Sequence, residues 1–95
     1  MTKYEIMYII RPTLEDAERE ALIAKMNRVF TDNGSEVLKK DEWGTRQLAY
    51  EIEKHRKGYY VVLNLKATPE AVAEFERIIN LQEDVIRYII IKDPR

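Results

Sequence analysis

Cysteine is absent from the 95 residues, histidine and serine occur once each (His55 and Ser35), and glycine and proline three times each. Without cysteine there can be no disulfide and no thiolate metal site, a composition compatible with a reducing compartment. One histidine and one serine do not supply a nucleophile, a base and an orienting group. Gly34, Gly44 and Gly58 stand alone, so no glycine-rich loop is available to cradle a phosphate. The acids show no calcium-loop spacing, and neither a metal nor another cofactor is expected. Most carboxylates fall on polar helix faces, where nothing desolvates them for acid–base work. His55 itself sits in Lys54-His55-Arg56-Lys57, which reads as a solvated turn. No catalytic residue is expected, and hence no enzyme.

Long apolar runs are missing as well. None approaches the roughly 20 residues of a membrane span, and Met1-Thr2-Lys3-Tyr4-Glu5 lacks a signal-peptide profile. A cytoplasmic location away from membranes is the expectation. Nor is there a surplus of one charge: 16 Lys and Arg against 17 Asp and Glu leave a formal net charge of −1. A general charge-driven nucleic-acid binder needs a clearly basic domain. Any RNA binding must therefore be local or assisted. What is present, 45% hydrophobic and 35% charged residues, fits an ordered chain. Its length suits one domain over residues 1–95 with one two-layer core.

The most informative stretch runs from Gly44 to Leu65, GTRQLAYEIEKHRKGYYVVLNL. Two runs rich in β-branched, leucine and aromatic residues flank a polar break, Glu53 to Gly58, which predicts an antiparallel hairpin. Pairing Ile52 with Tyr59 sets Tyr50 opposite Val61 and Leu48 opposite Leu63. That register gathers Leu48, Tyr50, Ile52, Tyr59, Val61, Leu63 and Leu65 on one apolar wall. Gln47, Ala49, Glu51, Tyr60, Val62 and Asn64 fall on the other face.

Around the hairpin the pattern is regular. Lys3 to Ile10 alternates as a strand with apolar residues on both faces, so it belongs in the middle of a sheet. Thr13 is the expected N-cap of a helix with Glu15 and Asp16 in its first turn and Ala17, Ala21, Leu22, Met26, Val29 and Phe30 as its stripe. Asp32-Asn33-Gly34 ends it, with Gly34 in the left-handed conformation. A strand from Ser35 through the charged run Lys39–Glu42 reads as a protected edge with a bulge near Gly44. Thr68-Pro69-Glu70 opens a second helix, buried at Val72, Phe75, Ile78 and Ile79. Val85 to Lys92 is the last strand, Tyr88 and Ile90 inward, Arg87, Ile89 and Ile91 outward. The order strand, helix, strand, strand, helix, strand predicts an α+β, ferredoxin-like β-α-β-β-α-β fold, a four-stranded antiparallel sheet with both helices on one face.

The basic residues Lys39, Lys40, Arg46, Lys54, Arg56, Lys57 and Lys66 cluster near the hairpin. They read either as ordinary edge and turn solvation or as a phosphate-contacting rim. Lys57-Gly58-Tyr59-Tyr60-Val61-Val62-Leu63-Asn64 matches the start of the third-strand motif of RNA-recognition modules but lacks its later stacking aromatics. The sheet face away from the helices would expose Met7, Ile9, Tyr60, Val62, Ile89 and Ile91, rimmed by Glu5, Gln47, Glu51, Asn64 and Arg87. Six clustered apolar residues mark a protein interface, where single exposed ones would not. Met7, Ile9, Gln47, Tyr60, Val62, Ile89 and Ile91 are accordingly the expected partner-binding residues.

Gly44-x-Arg46-x-Leu48-Ala49-Tyr50-x-Ile52-x-Lys54 followed by Gly58-Tyr59 resembles the signature of the bacterial small-subunit ribosomal protein S-six family. Tyr4-Glu5, Arg11-Pro12 and Asn33-Gly34 agree with it, and the similarity runs from about residue 3 to residue 92. Gln47 departs, standing where many members carry a second basic residue. The resemblance implies this same fold and a structural, non-catalytic place in the platform of the small subunit. It implies pairing with small-subunit protein eighteen and binding of the central domain of the ribosomal RNA. A nearly neutral chain suits that role if an apolar face recruits a basic partner and the pair shares one RNA surface. The RNA contacts would come from Lys3, Arg46, Lys54, Arg56, Arg87 and Lys92, through phosphates and sugars. Two other readings stay open: a ferredoxin-like interaction or regulatory domain that homodimerises through the open face without RNA, and a stand-alone single-strand RNA binder.

Overall fold

The computed structural model describes residues 1–52 and 54–92, so Glu53, at the start of the expected polar break, and residues 93–95 lie outside it. Six elements follow one another: β1 (Thr2–Ile10), α1 (Asp16–Asp32), β2 (Glu36–Ile52), β3 (His55–Ala67), α2 (Pro69–Ile79) and β4 (Val85–Lys92). The strands form one antiparallel sheet in the order β2-β3-β1-β4. This is the ferredoxin-like arrangement the element order implied. β1 lies between β3 and β4, and its apolar residues on both faces suit it to the interior of the sheet.

The core lies between one sheet face and the helices. Ile6, Tyr8 and Ile10 of β1 and Val61, Leu63 and Leu65 of β3 meet Leu22, Ile23, Met26 and Phe30 of α1 and Val72, Phe75 and Ile79 of α2. Phe30 stacks on Phe75 at 4.7 Å between ring centroids and so joins the two helices. Thr68 caps α2 as expected, its Oγ1 accepting from the Ala71 N–H at 3.2 Å, with Pro69 leading the helix. At the end of α1, Gly34 has φ +73°, the left-handed turn the sequence called for.

Two expectations about α1 are corrected. Its N-cap is Glu15, without a side-chain cap, and not Thr13. Thr13 instead accepts a hydrogen bond from Arg11 Nη1 at 3.0 Å. The buried stripe also differs: Ala17 and Ala21 are exposed, and Ile23 joins Leu22, Met26, Val29 and Phe30 inside. Leu14, before the helix, is buried and anchors its entry.

β2 is the edge strand foreseen, and its register shifts between Glu42 and Gly44, where Gly44 takes φ +82°. The hairpin register, however, is not the expected one. Thr45, not Ile52, faces Tyr59; Arg46 faces Gly58 and Gln47 faces Lys57. His55, Arg56 and Lys57 belong to β3, and the chain reverses between Ile52 and His55, where Lys54 has φ +70°. Polar residues at a hairpin tip pair as strand as well as apolar ones do, so the polarity of His55–Lys57 marks solvent exposure and not a loop. Between Gln47 and Ile52 the register shifts again, so β2 bulges outward there. Tyr59, Val61, Leu63 and Leu65 keep their place on the helix-side wall. Leu48, Tyr50 and Ile52 do not: they lie on the opposite face of the sheet, around a cavity that also touches Met7 and Ile9.

Candidate functional site

The face away from the helices begins with β1 side chains Lys3, Glu5, Met7 and Ile9, set by strand alternation. Cross-strand pairing adds Tyr60 and Val62 (opposite Ile9 and Met7) from β3 and Arg87, Ile89 and Ile91 (opposite Ile9, Met7 and Glu5) from β4. So six of the seven expected partner-binding residues do share this face: Met7, Ile9, Tyr60, Val62, Ile89 and Ile91. Gln47 does not. It pairs with Lys57, on the helix-side face of the hairpin, because the true register turns it over.

Burial divides the six. Ile9 and Val62 are only 4% and 6% exposed, although neither belongs to the main core. What covers Ile9 is the hairpin itself: with Gln47 turned to the helix side, alternation puts Leu48 on this face, and Gly58 lets Ile9 approach the β3 backbone. A small second apolar cluster thus closes part of the face, leaving Ile89 and Ile91 exposed and Met7 and Tyr60 half-buried. The face is smaller than the sequence implied, and its exposed part is displaced toward β4.

Beside it lies a group the sequence reading did not single out. Trp43, the extra residue of the bulge before Gly44, stacks on Tyr60 with rings 10° from parallel and centroids 6.1 Å apart. Arg46 lies over the same indole, its Cζ 4.8 Å from the ring centroid. Trp43 stays 45% exposed, so the stack is a surface platform, not core. The signal was a tryptophan in an otherwise charged edge strand, where shielding from solvent is unavailable.

On the helix side, Tyr59 donates its hydroxyl to Glu42 Oε1 at 2.7 Å and carries Arg19 over its ring at 4.1 Å. The Glu42 carboxylate, accepting that proton, holds the Tyr59 pKa above its ordinary value. These contacts tie α1 to β2 and β3 and fix the base of the hairpin.

The six expected RNA-binding residues fall into two groups. Arg46, Lys54, Arg56 and Arg87 lie at the hairpin end, and all four are exposed. Lys3 and Lys92 lie at the other end, where Lys3 pairs with Lys66 and Tyr4 with Lys92. The length of β1, nine residues at ~3.3 Å each or roughly 26 Å from first to last Cα, separates them. Among the described residues no cluster of His, Asp and Glu could hold a metal ion.

An α+β sheet with one face under helices, the other part-closed by its own hairpin, and a cationic, aromatic edge is the frame of a structural binding protein. Comparison with known proteins narrows the class. The sequence model described as Ribosomal protein S6 matches residues 3–92, and the chain belongs to that family. It is 54% identical over 93 residues to the small ribosomal subunit protein bS6 of Halalkalibacterium halodurans, covering 98% of each chain. The fold matches the crystal structure of 30S ribosomal protein S6 from Thermotoga maritima with a TM-score of 0.92 and 27% identity, over 97% of this chain and 87% of that one. The chain is thus a structural constituent of the small ribosomal subunit, in a class of proteins that are not enzymes, and its place is the ribosome in the cytoplasm.

Proposed function

We propose that the chain binds the central domain of the small-subunit ribosomal RNA cooperatively with a basic partner, small-subunit protein eighteen. One observation carries the proposal: in a chain with net charge −1, the exposed cations Arg46, Lys54, Arg56 and Lys57 gather at one end of the hairpin, with Glu51 3.9 Å from Arg56 as a carboxylate among them. Such a protein has a local phosphate-contacting edge but no general attractive field. Its affinity has to come from a second, basic surface added beside the hairpin. The exposed Ile89 and Ile91 and the half-buried Met7 and Tyr60 supply the contact that recruits it, with Ile9 and Val62 supporting them from within. Lys3 and Lys92 serve as separate contacts at the far end of the sheet.

The test is a salt titration of binding to a central-domain RNA fragment, with and without the partner. The chain alone should bind weakly, the pair orders of magnitude more tightly. Each of Arg46→Ala, Lys54→Ala and Arg56→Ala should reduce the salt slope of the pair by about 1. Tight, steeply salt-dependent binding by the chain alone would favour the single-strand binder instead. A dimer of the free chain with no RNA affinity in either setting would favour the homodimerising domain.

A further inference from the structure

Trp43 is the single tryptophan of the chain, and it stands on an edge strand with nearly half its surface in water. The bulge before Gly44 puts it there: Glu42 faces Val61 and Gly44 faces Tyr60, so Trp43 has no cross-strand partner and the bulge aims its side chain. Its ring lies 10° from parallel to that of Tyr60 and carries the Arg46 guanidinium 4.8 Å from its centroid. On its own strand Tyr60 is followed on the same face by Val62 and Asn64, neither aromatic; Trp43 supplies the missing ring from the next strand. Among the described residues no carboxylate lies within ion-pair distance of Arg46. Asp41, which alternation puts on the same face opposite Val62, is itself paired with Lys39 at 3.4 Å. β3 and β1 separate this stack from β4, whose exposed Ile89 and Ile91 are assigned above to the ribosomal partner.

We propose that Trp43, packed on Tyr60, is a stacking platform for one unpaired nucleobase of RNA, with Arg46 holding the phosphate of the same nucleotide. The base takes the place of the guanidinium over the indole, and Arg46 turns to the phosphate. Both halves of that exchange are favourable. An exposed cation–π contact is weaker than a base on an aromatic ring, and a guanidinium grips a phosphate through two charge-assisted hydrogen bonds. The base has to be unpaired, because in a duplex its faces are already stacked and out of reach of a side chain. Every base has a π-face, so the platform reads the absence of pairing and not the sequence. An aromatic side chain of a protein would cover the indole but bring no anion to Arg46. The inference rests on the reading of the chain as an RNA-binding protein, and it adds a base contact to the phosphate and sugar contacts of that reading.

The experiment is an NMR titration of the full chain at low salt, following the one indole ring. The probes are an adenylate hexamer, a stable abasic hexamer with the same phosphates, and a blunt RNA duplex. The adenylate hexamer should move the indole protons upfield and saturably, the ring-current signature of a stacked base, and bind about tenfold more tightly than the abasic one. Trp43→Leu, at an exposed edge position, should keep a dispersed spectrum and bind the two hexamers alike; Trp43→Phe should keep part of the preference. Arg46→Gln should weaken both hexamers. Equal binding of the two hexamers by the unmodified chain, or no indole shift up to about 1 mM adenylate hexamer, overturns the proposal. So does a duplex that shifts the indole as far as the single strand. If the ribosomal partner moves the indole upfield and the hexamer does not, the platform belongs to the partner and the proposal falls. No hexamer titration contains the partner or central-domain RNA, so failure here leaves the phosphate-based reading standing. Failure of the pair to bind the central-domain fragment, with the hexamer still stacking, would remove that reading and keep the platform.

Discussion

Gly58→Ala is the sharpest test of how the hairpin closes over the sheet. Gly58 lies in β3 opposite Arg46 and is not among the residues with positive φ. Alanine could adopt its backbone, and on conformational grounds alone the substitution should stabilise by about 0.4–1 kcal/mol. Space dictates otherwise. A Cβ there would sit 2.2 Å from Ile9 Cγ2 and 3.6 Å from both Leu48 Cδ2 and the Ile10 carbonyl oxygen. Carbon atoms rest about 3.5–4.0 Å apart, so the overlap with Ile9 exceeds roughly 1 Å. Ile9 is buried and held between β3 and Leu48, so it cannot simply swing away. Overpacking of this kind costs about 1–3 kcal/mol, which outweighs the entropic gain and reverses the sign. Urea melts followed by circular dichroism should show the loss, with the melting temperature falling by roughly 4–8 °C per kcal/mol. Ile9→Leu moves the branch off Cβ, removes the clashing methyl, and alone should cost less than about 1.5 kcal/mol. The double variant should therefore be more stable than the two single costs predict, by about 1 kcal/mol or more. A stabilised Gly58→Ala, or strictly additive costs, would refute the reasoning.

Val61→Ala and Val62→Ala should each cost about 1.5–3 kcal/mol in the same melts, because both side chains are buried, on opposite faces of β3; a near-zero cost at Val62 would show that the hairpin does not close that face. Thr68→Ala should cost about 1 kcal/mol through loss of the α2 cap, whereas Thr13→Ala should stay within about 0.5 kcal/mol. Burial, assisted by Glu42 and Glu20, raises the Tyr8 pKa well above that of a free tyrosine, and its hydroxyl has no hydrogen-bond partner among the described residues. The folded chain thus keeps a proton that the unfolded chain loses above about pH 10, so stability should fall as pH rises beyond that point. Tyr8→Phe should blunt this alkaline loss and cost little at neutral pH, as read from urea midpoints across pH 8–11. Ile89→Glu, on the exposed part of the open face, should leave the circular dichroism spectrum unchanged yet abolish capture of the ribosomal partner; unaltered capture would remove that face from the interface.

Periodicity and punctuation in the sequence by themselves determined the order of six elements, the central position of β1, the Thr68 cap, the Gly34 turn and the bulge at Gly44. Each depends on residues close together in the chain, so local chemistry is enough to read it. The same holds for the clustering of cations near the hairpin. Tertiary structure decided the rest. The N-cap of α1 is Glu15 and not Thr13, and Leu14 just before it is buried in the core among residues distant in sequence. The hairpin register could not be read from alternation, since the polar residues His55–Lys57 pair as well as apolar ones once the tip projects into solvent. That register put Leu48 on the face where it covers Ile9, and the missing Cβ of Gly58 let the two meet. Trp43 on Tyr60 and Tyr50 on Arg87 are likewise pairs far apart in sequence, brought together by pairing between strands and by the bend of β2. Side-chain alternation tells which residues share a face only after the register is known, and the register is a property of the whole sheet.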